Sequence, residues 1–248
     1  MKKGFYTEYS EVEDLHWWFV GRRRILLEFV NKYIPSSSMC KALDFGCGSG
    51  NMLRCLSRHI WTVGVDIEPK ALAFAQQKGS TNLVQVTEGN PPFKDCSFDL
   101  VCAFDVIEHL DDDSKALSEF YRVCCRGGYL MLTVPAYRFL WGQQDEVSEH
   151  KRRYTSRELY QKTVASGFII KKLSYFNTLL FPCIAAIRLL RRLVPRSAKR
   201  DLIKSDFTMK LSGKINDLLS FAFGFEAFPL RVLDFPFGVS LLCIAEKG

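Results

Sequence analysis

The chain has 248 residues, 48 % of them apolar, which is ample for the core of one α/β domain with insertions or one domain and a small cap. Its nine cysteines form no CxxC pair and no regular spacing, which excludes a disulfide framework and reads as free thiols in a reducing cytosol. The formal charge of +7 is uneven: residues 151–214 carry sixteen Lys/Arg against three Asp/Glu, so the remainder is net acidic.

Residues 5–33 read as helical. Glu11, Glu13 and Asp14 precede His16-Trp17-Trp18-Phe19, which leads to Arg22-Arg23-Arg24. This is either a capping helix with buried aromatics and solvated arginines or a lid over a ligand site. No apolar run opens the chain, so no signal peptide is expected and the location read is cytoplasmic. Pro35 to Ser38 is a linker.

Lys41 to Phe45 is the first strand. Gly46, Gly48 and Gly50 follow at alternate positions and open a helix that runs to about His59. Strand, glycine turn and helix make a nucleotide-binding corner, where the backbone approaches a ligand closely and free N–H groups face it. A dinucleotide corner wants Gly-x-Gly-x-x-Gly and a diphosphate. Here the third glycine comes one residue early and Asn51 stands where glycine is wanted. Asp44, two residues before the first glycine, would repel a diphosphate and suits a cationic ligand.

Trp61 to Ile67 is a second buried strand ending at Asp66, about twenty residues after the turn. A carboxylate there accepts from both hydroxyls of a ribose, or caps the helix that Pro69 opens. Asn82 to Thr87 is a third strand, followed by the Glu88–Phe93 loop with Asn90. Ser97 to Phe104 is the fourth and runs into Asp105-Val106-Ile107-Glu108-His109-Leu110. A helix over Lys115 to Cys125 is closed by Arg126-Gly127-Gly128, and Tyr129 to Val134 is the fifth strand.

Residues 136–160 carry Trp141, Asp145, His150, Arg152, Arg153 and Tyr154. Thr155 begins a helix with a capping box to Glu158, and Phe168 to Phe176 is the sixth strand. From Asn177 to about Pro236 the pattern departs from the core. Thr178 to Leu193 and Leu211 to Phe225 read as amphipathic helices, too short and too basic to span a bilayer. They cap the site or lie on an anionic membrane surface through Arg188, Arg191 and Arg192. Phe237 to Ala245 is the last strand.

Five features, in order, resemble the class I S-adenosyl-L-methionine (SAM)-dependent methyltransferases over roughly residues 40–176 and 237–248. They are the Asp44-x-Gly46-x-Gly48-x-Gly50 turn, the Asp66 strand end, the Asn90 loop, the Phe98-Asp99 to Glu108-His109 segment, and the Gly127-Gly128 strand. The resemblance implies a Rossmann-like α/β sheet of seven strands in the order 3-2-1-4-5-7-6, the last antiparallel. It divides the chain into a helical cap (1–34), a SAM-binding core (35–176 plus 237–248) and a helical insertion (177–236). It also implies the site. Asp44, Gly46, Cys47, Gly48 and Gly50 line the methionine and ribose side. Asp66 and Ile67 take the ribose side, Asn90 the adenine, and Phe104 and Asp105 lie against the cofactor. Arg22 or Arg23 pairs with the methionyl carboxylate.

For an oxygen acceptor, Glu108, His109 and His150 are the candidate catalytic groups. The ubiquinone-pathway O-methyltransferases are similar here and carry Glu-x-x-Glu-His, whose side chains hold a divalent metal. This chain reads Asp105-x-x-Glu108-His109, so Asp105, Glu108, His109 and His150 are the candidate ligands, against the plainer reading that Glu108 and His109 brace a loop. His16-Trp17-Trp18-Phe19 with its arginines, the His150-Lys151-Arg152-Arg153-Tyr154 segment and the Phe235–Leu242 segment are similar to a bacterial branch associated with surface-polysaccharide or lipid-linked-sugar pathways. The implied activity is methyl transfer to a small or lipid-linked acceptor, at oxygen, in the cytoplasm or at the inner face of the membrane. The rivals are an RNA methyltransferase, for which no RNA-binding motif is present and nucleic acid is not the expected partner, and a catalytically silent SAM-binding scaffold. An NAD-dependent oxidoreductase is opposed by the glycine spacing.

Overall fold

A computed structural model of the chain describes residues 5–34, 39–87, 91–192 and 212–248. Asn90, the Pro35–Ser38 linker and the basic linker before Leu211 lie outside the described residues. Seven strands form one sheet in the order β3-β2-β1-β4-β5-β7-β6. They are β1 (Lys41–Phe45), β2 (Trp61–Asp66), β3 (Leu83–Gln85), β4 (Phe98–Phe104), β5 (Cys124–Pro135), β6 (Phe168–Phe176) and β7 (Ser240–Lys247). β1 pairs in parallel with β2 and β4, and β7 inserts antiparallel between β5 and β6, as the resemblance implies. The central strands are near-continuous apolar runs because helices cover both faces of the sheet.

The order reverses at β1, whose neighbours β2 and β4 leave in opposite directions. The crevice beyond the carboxyl ends of these strands is where such sheets bind ligands. The face carrying Leu43, Val101 and Leu132 is covered by α5 (Asp113–Val123) and α7 (Ser156–Ala165), and the face carrying Ala42, Leu100 and Met131 by α3 (Asn51–Leu56) and residues 25–34; α4 (Pro69–Gln77) follows β2, and a short α6 (Gln143–Val147) lies in the loop between β5 and α7. Thr155 caps α7 as expected: its hydroxyl accepts from the Glu158 N–H at 3.2 Å, and the Glu158 carboxylate accepts from the Thr155 N–H at 2.7 Å.

Two segments differ from expectation. The N-terminal helix is two, α1 (Phe5–Val12) and α2 (Trp17–Tyr33), because the His16 side chain caps the second by accepting from the Trp18 N–H. The Gly127-Gly128 pair does not close a helix; α5 ends at Val123 and β5 starts at once. Its pairing jumps from Phe98↔Cys124 to Leu100↔Tyr129, and Gly127, at φ 72°, absorbs the extra residues.

The excursion forms α8 (Phe181–Arg192), α9 (Gly213–Phe225) and the short α10 (Ala227–Leu230). Pro182 does not interrupt α8; it sits in the first turn, where its missing N–H costs nothing. α9 packs on α2 through Phe223 and Gly21, and a β-carbon on Gly21 would lie 2.6 Å from the Phe223 ring. Among the described residues no helix is long and apolar enough to cross a membrane.

Candidate active site

The β1–α3 turn is held by backbone. The N–H groups of Gly46 and Cys47 both donate to the Val65 carbonyl, at 2.8 and 3.0 Å. Gly46 has φ 73°, and a β-carbon there would strike Val106 at 2.5 Å; Gly48 has φ 55° and opens onto space with nothing within 4 Å. Cys47 is buried and its burial pushes the thiol up, so it lines the turn as an uncharged apolar group. Gly50, at φ 82°, leads into α3.

Asp66 ends β2 and buttresses the turn. One carboxylate oxygen accepts from the Gly48 N–H and the other from the Glu68 N–H, each at 2.9 Å. The cap of α4 is Glu68, not Asp66. Ile67 follows, half exposed at the lip of the crevice. Asp44, at the end of β1, is buried, and one of its oxygens has no hydrogen-bond partner. Burial, opposed by Arg22 and helped by Asp66, pushes its carboxyl up to about 7. A buried carboxylate oxygen without a partner is costly and is satisfied by a ligand that brings positive charge.

The lid arginines are already engaged. Arg22 pairs with the Asp105 carboxylate at 2.7 Å and donates to the Thr133 hydroxyl at 3.1 Å. Its guanidinium lies 4.9 Å from the Trp18 ring and 5.8 Å from the Phe104 ring. Arg23 donates to Asn51 at 3.0 Å. Asn51 in turn donates to Asp14 at 2.8 Å, and Lys78 holds Glu13 at 2.6 Å, so the α1–α2 junction is fastened onto α3 and α4. Tyr9 of α1 is turned into this acidic wall, where burial raises its phenol.

On the far side a single 3₁₀ turn, Ile107–His109, presents Glu108 and His109. Glu108 is fully buried and neither carboxylate oxygen has a hydrogen-bond partner. Burial and the neighbouring Asp105 charge push its acid constant well up, which favours the neutral acid. Burial pushes the His109 imidazole down to about 3. His150 closes the group: its ring centroid is 4.7 Å from that of His109, and its Nε2 is 3.9 Å from Glu108 Oε1. Ligand atoms of Glu108, His109 and His150 all lie within 4.8 Å of one another. Asp105 lies outside this group, drawn away by Arg22 and Thr133.

Asp145 is a site residue that the sequence pattern does not single out. It is fully buried, and Oδ1 is 2.8 Å from His150 Nδ1. Arg153 grips both oxygens, at 2.7 and 3.0 Å, and the Gly142 N–H donates to Oδ2 at 2.8 Å. Burial alone would raise this carboxyl, but the hydrogen bond to His150 and the charge and hydrogen bonds of Arg153 hold it far below the usual range. Arg188 of α8 reaches the same carboxylate at 3.6 Å and also donates to the Leu140 carbonyl. It therefore faces the protein interior, which corrects the expectation that it faces a membrane. The available signal was an acid five residues before His150 and eight before Arg153.

A methyltransferase-domain family model matches residues 43–132, from the strand before the glycine turn to the strand after the Glu108 segment. The chain is 27 % identical over 160 residues to a probable SAM-dependent methyltransferase of Mycobacterium tuberculosis, covering 62 % of this chain and 56 % of that protein. Residues 43–132 thus match a methyltransferase domain, and the sheet has the strand order that the class I resemblance implies. A malonyl-[acyl-carrier protein] O-methyltransferase of Enterobacter lignolyticus is 30 % identical over 133 residues, half of this chain and 53 % of the relative. A solved SAM-dependent methyltransferase of Thermotoga maritima shares the fold at a TM-score of 0.59 and 18 % identity, over 99 % of this chain and 96 % of that one. The chain thus spans little more than half the length of these curated relatives. Within the chain, His150, Asp145 and Arg188 all lie beyond the family-model match.

The residues present fit SAM. The partnerless Asp44 oxygen meets the need of an ammonium, and the open space beside Gly48 admits a ligand against the backbone.

Proposed function

We propose that this methyltransferase moves a methyl group from SAM to a hydroxyl oxygen of a small or lipid-linked acceptor. Asp44 and the Gly46–Gly50 backbone would hold the methionine side, with Asp66 and Ile67 at the ribose. Asn90 stands for the adenine by family pattern. When bound, SAM supplies a sulfonium-activated methyl group for in-line displacement. The chain's own contribution is alignment and proton removal.

The observation that carries this reading is the His150–Asp145 pair at 2.8 Å, set beside Glu108, which in turn neighbours Asp105. Asp145, fixed by Arg153, keeps a proton on His150 Nδ1 and leaves Nε2 to accept one from the acceptor hydroxyl. Glu108, neutral beside Nε2, adds no competing charge. Helices α1, α2 and α8 would cap this crevice, with Tyr9 and Trp18 on the lid side and Arg188 on the other. An O-methyltransferase among the relatives agrees with an oxygen acceptor.

The test is release of S-adenosylhomocysteine from SAM across a panel of hydroxylated acceptors, for wild type and His150→Ala. Turnover lost in the variant with SAM affinity kept is expected. Equal turnover removes His150 as the base.

The grouping of Glu108, His109 and His150 favours a second reading, in which they hold a divalent cation that lowers the acceptor hydroxyl pKa. A neutral imidazole at His109 and partnerless oxygens on Glu108 fit that donor set. Calorimetric titration of the chelator-treated protein with Mg²⁺ and Zn²⁺, beside Glu108→Gln, separates the two readings. No heat of binding leaves the His150 base alone.

A further inference from the structure

Asn51 stands where a dinucleotide corner has glycine, and its side chain is taken up by the N-terminal segment. Its amide nitrogen donates to the Asp14 carboxylate at 2.8 Å and to the Glu13 carbonyl at 3.3 Å, and its oxygen accepts from Arg23 at 3.0 Å. Lys78, at the C-terminal end of α4, holds the same turn. Its ammonium donates to the Ser10 carbonyl and to the buried Glu13 carboxylate, both at 2.6 Å, and lies 3.4 Å from Asp14. Arg54 of α3 pairs with Asp14 at 2.8 Å. Residues 10–14 are thus tied to α3 and α4, the two helices that start beside the glycine turn and Asp66.

Tyr9, one turn before Glu13, packs edge-on against Phe19 with ring centroids 4.6 Å apart, and its phenol faces the charges of Arg22, Asp105 and Glu108. α1 therefore runs as a strap from α4 to the β4 side of the crevice. The strap and α2 are attached by different forces. α2 buries Ile25, Leu26, Phe29 and Val30 in the core. The ties of the strap are charged and partly wet: the Asp14 side chain is 43 % exposed, that of Arg54 31 % and that of Lys78 21 %. Such pairs exchange with water at small net cost, so the strap is the part that opens while α2 stays.

The pivot is fixed as well. Asn216 of α9 donates to the Leu15 carbonyl at 2.9 Å and accepts from the Trp17 N–H at 2.8 Å, so the chain is clamped on both sides of His16. The clamp lies just after the last latched residue, Asp14, and just before α2 begins.

We infer that Glu13, Asp14, Asn51 and Lys78 form a polar latch that holds α1 as a strap over the crevice, and that its opening sets how fast cofactor enters and product leaves. The inference rests on the reading of this crevice as the SAM site. It has a kinetic signature. A residue that only bars the way slows entry and exit equally and leaves Kd unchanged, whereas a residue that holds the ligand slows exit alone.

The experiment measures association and dissociation rates of SAM and S-adenosylhomocysteine on the full chain by surface plasmon resonance, with a calorimetric Kd beside them. Lys78→Met should raise both rates by about tenfold or more and keep Kd within about twofold, because it removes two charge-assisted hydrogen bonds. Asp14→Asn, at a half-exposed tie, should raise both by about two- to threefold. Glu13→Gln added to Lys78→Met should speed them no further, since that pair is already broken. Raising sodium chloride from about 0.05 to about 0.5 M should speed both rates in wild type as screening weakens the ties. Asp14→Asn and the salt series read the same signature on chains that keep the Glu13–Lys78 pair. Unchanged rates overturn the latch and leave the SAM site standing. Faster exit with a matching loss of affinity also overturns it, because Lys78 then holds the ligand. Wild type that binds neither compound fails the SAM reading and takes the latch with it.

Discussion

On the β1–β2 side of the crevice the ligand groups are held by backbone: Asp66 by two N–H donors, the glycine turn by the Val65 carbonyl. On the His150 side they are held by side chains from four segments: Glu108 and His109 on a 3₁₀ turn, Asp145 on α6, Arg153 before α7, and Arg188 on α8. The backbone-built side is a chain-local device that many ligand chemistries can share. The side-chain-built side depends on contacts across more than forty residues, and any one of them can retune the chemistry while the fold stays.

That contrast yields predictions in descending size. Removing the His150 imidazole, or unsettling it with Asp145→Asn, should lower turnover by about 10²–10⁴ with SAM affinity unchanged. S-adenosylhomocysteine release and calorimetry check the two halves separately, and a matching loss of SAM affinity would show that the sides are not independent.

Next is the pH dependence of cofactor affinity. Asp44 has a folded-state pKa pushed up to about 7, and a cationic ligand prefers its ionised form. Affinity should therefore rise as pH increases from about 5.5 to 7.5, by up to about tenfold per unit, below the range of about 7.7–8.0 where an α-amino group loses its proton. Asp44→Asn should flatten the slope. For the unliganded protein the sign is opposite: a raised carboxyl costs stability as pH climbs from the unfolded value of about 3.9 to about 7.

A third change acts on the junction beneath both sides. Gly21→Ala puts a β-carbon against Phe223 and should cost about 1–3 kcal/mol in denaturant unfolding. The smallest effect belongs to Glu108→Gln. If the buried acid is neutral, the amide replaces it for less than about 1 kcal/mol. A much larger loss would mean that Glu108 is ionised and held by a cation.

The same contrast sets what the amino-acid sequence reveals. The Asp44–Gly50 turn and Asp66 are legible because their spacing is local and imposed by backbone geometry, and the sheet order follows from the resemblance those motifs carry. Asp145 and Arg188 are not. Asp145 resembles any acid in a loop until the fold carries Arg188 to it from forty-three residues away. Helical periodicity placed Arg188 on a solvent face, and the pull of a buried carboxylate reversed it. The α1–α2 break was hidden for a similar reason: the apolar pattern runs through His16, and only its cap geometry stops the helix.

The most direct test of the central claim, that this crevice is a SAM site held by strand-end acids, is calorimetric titration of SAM and S-adenosylhomocysteine into wild type and Asp66→Ala. The account predicts saturable binding to wild type, weakened about a hundredfold or more when the hydrogen bonds of Asp66 with Gly48 in the turn and with Glu68 at the start of α4 are lost. Equal binding to both proteins, or none to wild type, would contradict it.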